Sequence, residues 1–190
     1  MSSPGDSESR LTMWQIAPRI VMTPSVGWDM VMSRGPRPEI AVIRFLLPLC
    51  LMAAGSEFFT MIYNPDLSFT NVLVQSVITL TSYFLGYYIA LVLAKLFLPK
   101  DAKEFPLTPY GKLVILTGVG SLAFFVVLIK LLPMIDFILE FLPVWTVFLI
   151  FKAMSKIAVS EEKQTLSIGI VCVIVICAPI IVEWFLSLFV

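Results

Sequence analysis

The apolar positions of this chain gather into five long runs separated by short polar breaks. The runs cover residues 40–63, 72–98, 112–132, 134–153 and 165–190. Each approaches the ~20 residues that cross a bilayer core as a helix. A helix is the expected form, because a lone span in lipid must satisfy its backbone internally. The predicted fold class is therefore all-α: a polytopic membrane bundle of five transmembrane helices, domain 39–190, preceded by short amphipathic interfacial helices.

The breaks carry their own signals. Residues 64–69, NPDLSF, are turn-rich and hold no Lys or Arg. Residues 99–111, PKDAKEFPLTPYG, hold three prolines with Lys100, Lys103 and Glu104, which end a helix and favour water. Pro133 breaks the chain sharply and predicts a tight antiparallel pairing of the third and fourth runs. The break at 154–164 holds Lys156, Glu161, Glu162 and Lys163.

Before the runs, residues 1–9 are polar and read as a disordered tail. No cleavable signal peptide is visible, since the first long apolar run begins near Ile40. Residues 10–38 mix apolar and polar groups at helical spacing. Leu11, Trp14, Ala17 and Pro18 fall roughly on one face. Thr23-Pro24 predicts a second short helix, with threonine as N-cap and proline at the first helical position. Trp and Met beside Arg19 and Arg34 suit the headgroup region. The alternative is packing of these helices on the protein's own cytoplasmic face.

Composition agrees with lipid as the solvent. Hydrophobic residues make up 59% of the chain and charged residues 14%, against ~45–50% and ~25% in soluble domains. The net charge is zero, which leaves nucleic acid no electrostatic footprint. There is no histidine, so His bases, His metal ligands and the Ser–His and Cys–His pairs are excluded. Cys50, Cys172 and Cys177 all lie in apolar runs and read as small fillers. No catalytic, cofactor or metal site is expected, and the chain is not expected to be an enzyme.

The cations set an orientation. Five arginines, Arg10, Arg19, Arg34, Arg37 and Arg44, precede or open the first run. Lys95, Lys100, Lys103 and Lys112 surround the second break, and Lys152, Lys156 and Lys163 the fourth. With five spans these lie on one side, and only Lys130 falls near the other. The positive-inside rule makes that side cytoplasmic, with the C-terminus opposite. A bacterial inner membrane is the expected location.

Four charges fall within the runs. Glu57, Glu140 and Glu183 each lie about six or seven residues from the outer face, roughly 10 Å deep at ~1.5 Å per residue, and Lys130 lies near the same level. Buried charges in membranes face the bundle interior and find partners. Either the acids form a proton or cation site, or Lys130 neutralises one or two of them. Separately, Ser82, Gly86, Ala90 and Ala94 recur every fourth residue and form a small-residue stripe suited to close helix approach. Gly118 to Ser121 form a second small patch.

The pattern resembles the Yip family, the Ypt/Rab-interacting membrane proteins and their bacterial relatives. The residues that carry the resemblance are the segment IVMTPSVGW (20–28), the proline-bearing FLLPL (45–49), and LPVWTVFLIFKAM (142–154) with its charged loop and Thr-led last span. Ala153 stands where the family often has Gly, and the eukaryotic acidic-Tyr-Gly-Pro signature is absent. The resemblance is therefore to the prokaryotic branch. It implies five spans and a membrane protein without a settled activity. Two functions follow as expectations: an interaction or scaffolding protein engaging lipids, other membrane proteins or itself, or a small proton- or cation-coupled transporter.

Overall fold

The computed structural model describes residues 10–132, 141–156 and 161–189; among them every regular element is helical. In chain order these are α1 (Met13–Met22), α2 (Pro24–Arg34), α3 (Pro38–Tyr63), α4 (Phe69–Phe97), α5 (Pro109–Leu131), α6 (Leu142–Met154) and α7 (Glu161–Ser187). Two short 3₁₀ turns, Lys100–Ala102 and Phe105–Leu107, join α4 to α5.

Four helices are long and apolar enough to cross a membrane: Pro38–Tyr63, Phe69–Phe97, Pro109–Leu131 and Lys163–Ser187. Such a set suggests an integral membrane protein. The run expected at 134–153 is represented by the shorter α6; its first residues, with Pro133, lie outside the described residues, as do residues 1–9.

Local chemistry moves the helix starts. α4 begins three residues before its expected start because the Ser68 hydroxyl accepts from Asn71 N–H at 3.2 Å. α5 begins three residues early for the same reason. Thr108 accepts from Gly111 N–H at 2.9 Å, and Pro109 occupies the first turn, where no N–H is needed.

From α3 to α7 successive helices alternate in direction. One end of the bundle gathers Glu39–Lys112 at 3.7 Å and the pairs Asp29–Lys156 and Asp101–Lys163. We call it the basic end. Lys130 and Glu57 meet at the far end, so α3 and α5 run parallel. Tyr110 on Ala153 O and Ser121 on Thr146 make α6 antiparallel to α5. Gln75 on Glu183 does the same for α4 and α7.

α5 is the centre. Every residue from Leu113 to Gly120 is buried, because α3, α4, α6 and α7 all pack on it. A helix enclosed on all sides needs small residues where neighbours cross. A Cβ on Gly118 would meet Val175 at 2.8 Å, and one on Gly120 would meet Phe45 at 3.3 Å. The stripe on α4 is likewise covered: Ser82, Gly86, Ala90 and Ala94 are all buried, and Gly86 backs onto Pro179 of α7. The Ser82 hydroxyl has no partner, so what it contributes there is small volume.

α1 and α2 form an antiparallel hairpin, tied where Leu11 N–H donates to Arg34 O at 3.0 Å. A Cβ on Gly27 would lie 2.6 Å from the Ile20 backbone, so the two helices touch there. α2 is pinned to the bundle by Trp28. Its ring is fully buried, its indole N–H donates to Leu149 O at 3.1 Å, and its edge meets Tyr110. The inward face of α1 is Met13, Ile16 and Ile20, while Trp14 and Pro18 are exposed and Leu11 and Ala17 half-buried. This differs from the expected face because Gly27 draws Ile20 inward.

Replacing Gly86 by Leu drives a side chain into the Pro179 backbone, whose Cα is 3.0 Å from the position a Cβ would take. Overpacking of this kind costs about 1–3 kcal/mol. The melting temperature in detergent should fall clearly for Gly86→Leu and less for Gly86→Ala. An unchanged melt for the leucine variant would exclude close α4–α7 contact.

Candidate functional site

The acids expected at one depth are handled separately. Glu57 opens a 3₁₀ turn, Glu57–Phe59, inside α3, and its side chain is 5% exposed. Lys130, in the last turn of α5, reaches it at 2.9 Å. Thr79 of α4 donates its hydroxyl to Glu57 Oε1 at 3.0 Å. The carboxylate thus receives an ammonium on one oxygen and a hydroxyl on the other. Its own carbonyl accepts from Thr60 at 2.6 Å. Ser76, one turn before Thr79, donates to Ala54 O at 2.7 Å and stitches the same α3–α4 seam.

Lys130 belongs to this arrangement for two physical reasons. Its position at the C-terminus of α5 suits a cation, because the helix dipole is negative there. Its side chain keeps 32% exposure, so the ammonium is not wholly desolvated. The cost of burial falls mainly on Glu57, which is why that residue carries the extra hydrogen bond.

Glu183 belongs to α7 and meets the same face of α4 one turn away from Thr79. It accepts from Gln75 Nε2 at 3.3 Å and is partly exposed. No hydrogen bond or ion pair links Glu57 with Glu183. Tyr83, two turns along α4 from Gln75, lies on the same helix face. Glu140 lies outside the described residues.

Gln75, Ser76 and Thr79 were not singled out in the sequence, and Tyr83 reads there only as an aromatic packing residue beside the small-residue stripe. The available signal was positional: polar side chains in the first half of an apolar helix, at the depth of the acids on its neighbours.

No protein-family model matches the chain, and no curated protein or solved structure matches it either. Fold and site define its class only: a helical bundle with four helices able to cross a membrane and a buried ion pair between two of them.

Removing Lys130 leaves a buried carboxylate with one neutral donor. Breaking a fully buried pair costs about 3–5 kcal/mol; partial exposure of Lys130 places Lys130→Met nearer about 2 kcal/mol. Glu57→Gln keeps the Thr79 bond and frees a lysine that can reach water, so it should cost less. The double variant should recover part of the Lys130→Met loss. Additive losses in a detergent melt would show that the two side chains are not coupled.

Proposed function

We propose that this chain is a five-span integral membrane protein of Yip-like, prokaryotic type, acting through interactions within the bilayer and without catalytic chemistry. The observation that carries this reading is the closure of the most buried acid among the described residues. Glu57 is held by Lys130 and Thr79, which is how a bundle fixes a helix seam. A carboxylate that carries a proton or cation needs a vacant coordination position, and Glu57 offers little. In the same reading α6 and the apolar residues before it form the remaining span, and α1 and α2 lie at the headgroup level. The gathering of cationic side chains at the basic end supports a cytoplasmic location for that end.

A second reading, a small proton- or cation-coupled transporter, draws on one observation. Gln75, Thr79 and Tyr83 recur every fourth residue along one face of α4, and the first two hold Glu183 and Glu57. Purified protein in vesicles containing a pH-sensitive dye separates the two. The interaction reading expects no proton flux above empty vesicles. A flux that disappears when Glu57, Glu140 and Glu183 all become Gln would replace it with the transporter reading.

The orientation has its own check. In a chain with Cys50, Cys172 and Cys177 replaced, Asn64→Cys should react with an impermeant maleimide on intact cells. Ser155→Cys should react only after the cells are opened. Labelling of both positions on intact cells would refute the membrane topology.

A further inference from the structure

At the basic end three arginines have no acidic partner among the described residues. Arg10, Arg37 and Arg44 border one cavity of about 610 Å³, and none of the residues around it is acidic. Of the described carboxylates at this end, Glu39 pairs with Lys112 and Asp29 with Lys156. Among the described residues no ion pair uses any of the three. Among the described residues its border therefore carries three positive charges and no negative one.

Its inner wall is Trp14 stacked edge-on against Phe45 at 4.9 Å. The position of Trp14 follows from the sequence of α3. Pro48 has no N–H for the carbonyl four residues back, which is Arg44, and the chain there opens into a π-helical turn, Val42–Leu46. The Trp14 indole donates to that Arg44 carbonyl at 2.7 Å. One hydrogen bond thus fixes an aromatic wall beside the Arg44 backbone.

Trp14 and Phe45 also border a second cavity of about 300 Å³ on the other side of that wall. It runs between α1 and the bundle, lined by Ala17, Val21, Leu49 and Phe124, and extends past the midpoint of α5. An apolar cavity does not hold ordered water. Next to it on α1, Val21 and Met22 are exposed, Met22 by 82%.

We propose that these adjoining cavities form a binding site for an anionic phospholipid. The phosphate sits among Arg10, Arg37 and Arg44, and an acyl chain passes Trp14 and Phe45 into the apolar cavity beneath α1. Arginine forks match phosphate oxygens, and basic pockets beside spans on the cytoplasmic side hold anionic headgroups. The site rests on the reading that this end of the bundle lies at a membrane surface.

The full chain, purified in a mild detergent, can be tested by native mass spectrometry and thermal melting with three probes. These are phosphatidylglycerol, phosphatidylcholine with the same acyl chains, and glycerol phosphate. Phosphatidylglycerol should be retained at one per protein and raise the melting temperature; the other two should do neither. Arg10→Gln/Arg37→Gln/Arg44→Gln should weaken phosphatidylglycerol retention by about 100-fold. Arg19→Gln, which removes a charge outside the cavity, should leave retention intact. Ala17→Phe should block the chain cavity with every arginine in place, so loss of binding there does not depend on the triple variant folding.

Equal retention of the two lipids would overturn the proposal. So would full binding of glycerol phosphate, which marks a phosphate site without a lipid, or undiminished binding by both the triple variant and Ala17→Phe. Alkaline washing of cell membranes separates the underlying reading. A chain released by the wash is not membrane-embedded, whereas a chain retained without lipid selectivity loses only this site.

Discussion

Everything in the bundle depends on enclosing α5 on all sides. A helix whose residues from Leu113 to Gly120 are all buried has no solvent face and no lipid face in that stretch. Lipid tails are as apolar as the side chains they would replace, so helices associate in a bilayer by close packing and hydrogen bonds. Both devices are present. Gly118 and Gly120 let Val175 and Phe45 approach α5. Ser121–Thr146, Tyr110–Ala153 and Lys130–Glu57 then tie α6 and α3 to the same central helix. The outer helices keep large exposed side chains, such as Leu85, Val92, Val173 and Trp184, as the outside of such a bundle requires.

The sequence makes the elements legible because their signals are local. Apolar run length marks four long helices, and the Thr-Pro pair at Thr23-Pro24 marks the break between α1 and α2. Ser68 and Thr108 were equally local signals, and they displaced two starts by only three residues. What sequence could not deliver was the assignment of partners across helices. Glu57 and Glu183 have the same apparent depth, yet neighbouring residues on one face of α4 answer each separately, Thr79 for Glu57 and Gln75 for Glu183. Depth along a helix follows from counting residues. Rotation about the helix axis depends on which neighbour supplies the donor, and an apolar helix with little amphipathic bias does not announce that.

Prolines show how a local rule becomes a tertiary contact. Pro48 removes the donor for the Arg44 carbonyl, and a residue thirty positions earlier in the chain supplies one. Trp28 likewise donates to a carbonyl of α6, that of Leu149, with no proline involved. In each case an indole N–H on the N-terminal hairpin meets a carbonyl on a long helix. The hairpin is thus fixed by two directional bonds as well as by apolar contact.

The two ends of the molecule treat charge in opposite ways, and the difference bears on what each can do. At the far end Glu57 is saturated, with both oxygens engaged by side chains from two other helices. A group in that condition holds position and has little free energy left for an incoming ligand. At the basic end lysines pair with Glu39, Asp29 and Asp101, and Arg10, Arg37 and Arg44 stand around an open cavity. Lysine, a compact point charge, closes the pairs. Arginine, with its planar fork of donors, faces the vacancy. Clustered like charges repel one another and destabilise the fold unless an anion joins them. The same distribution that marks the far end as structural makes the basic end the place where a negatively charged partner would stabilise the protein.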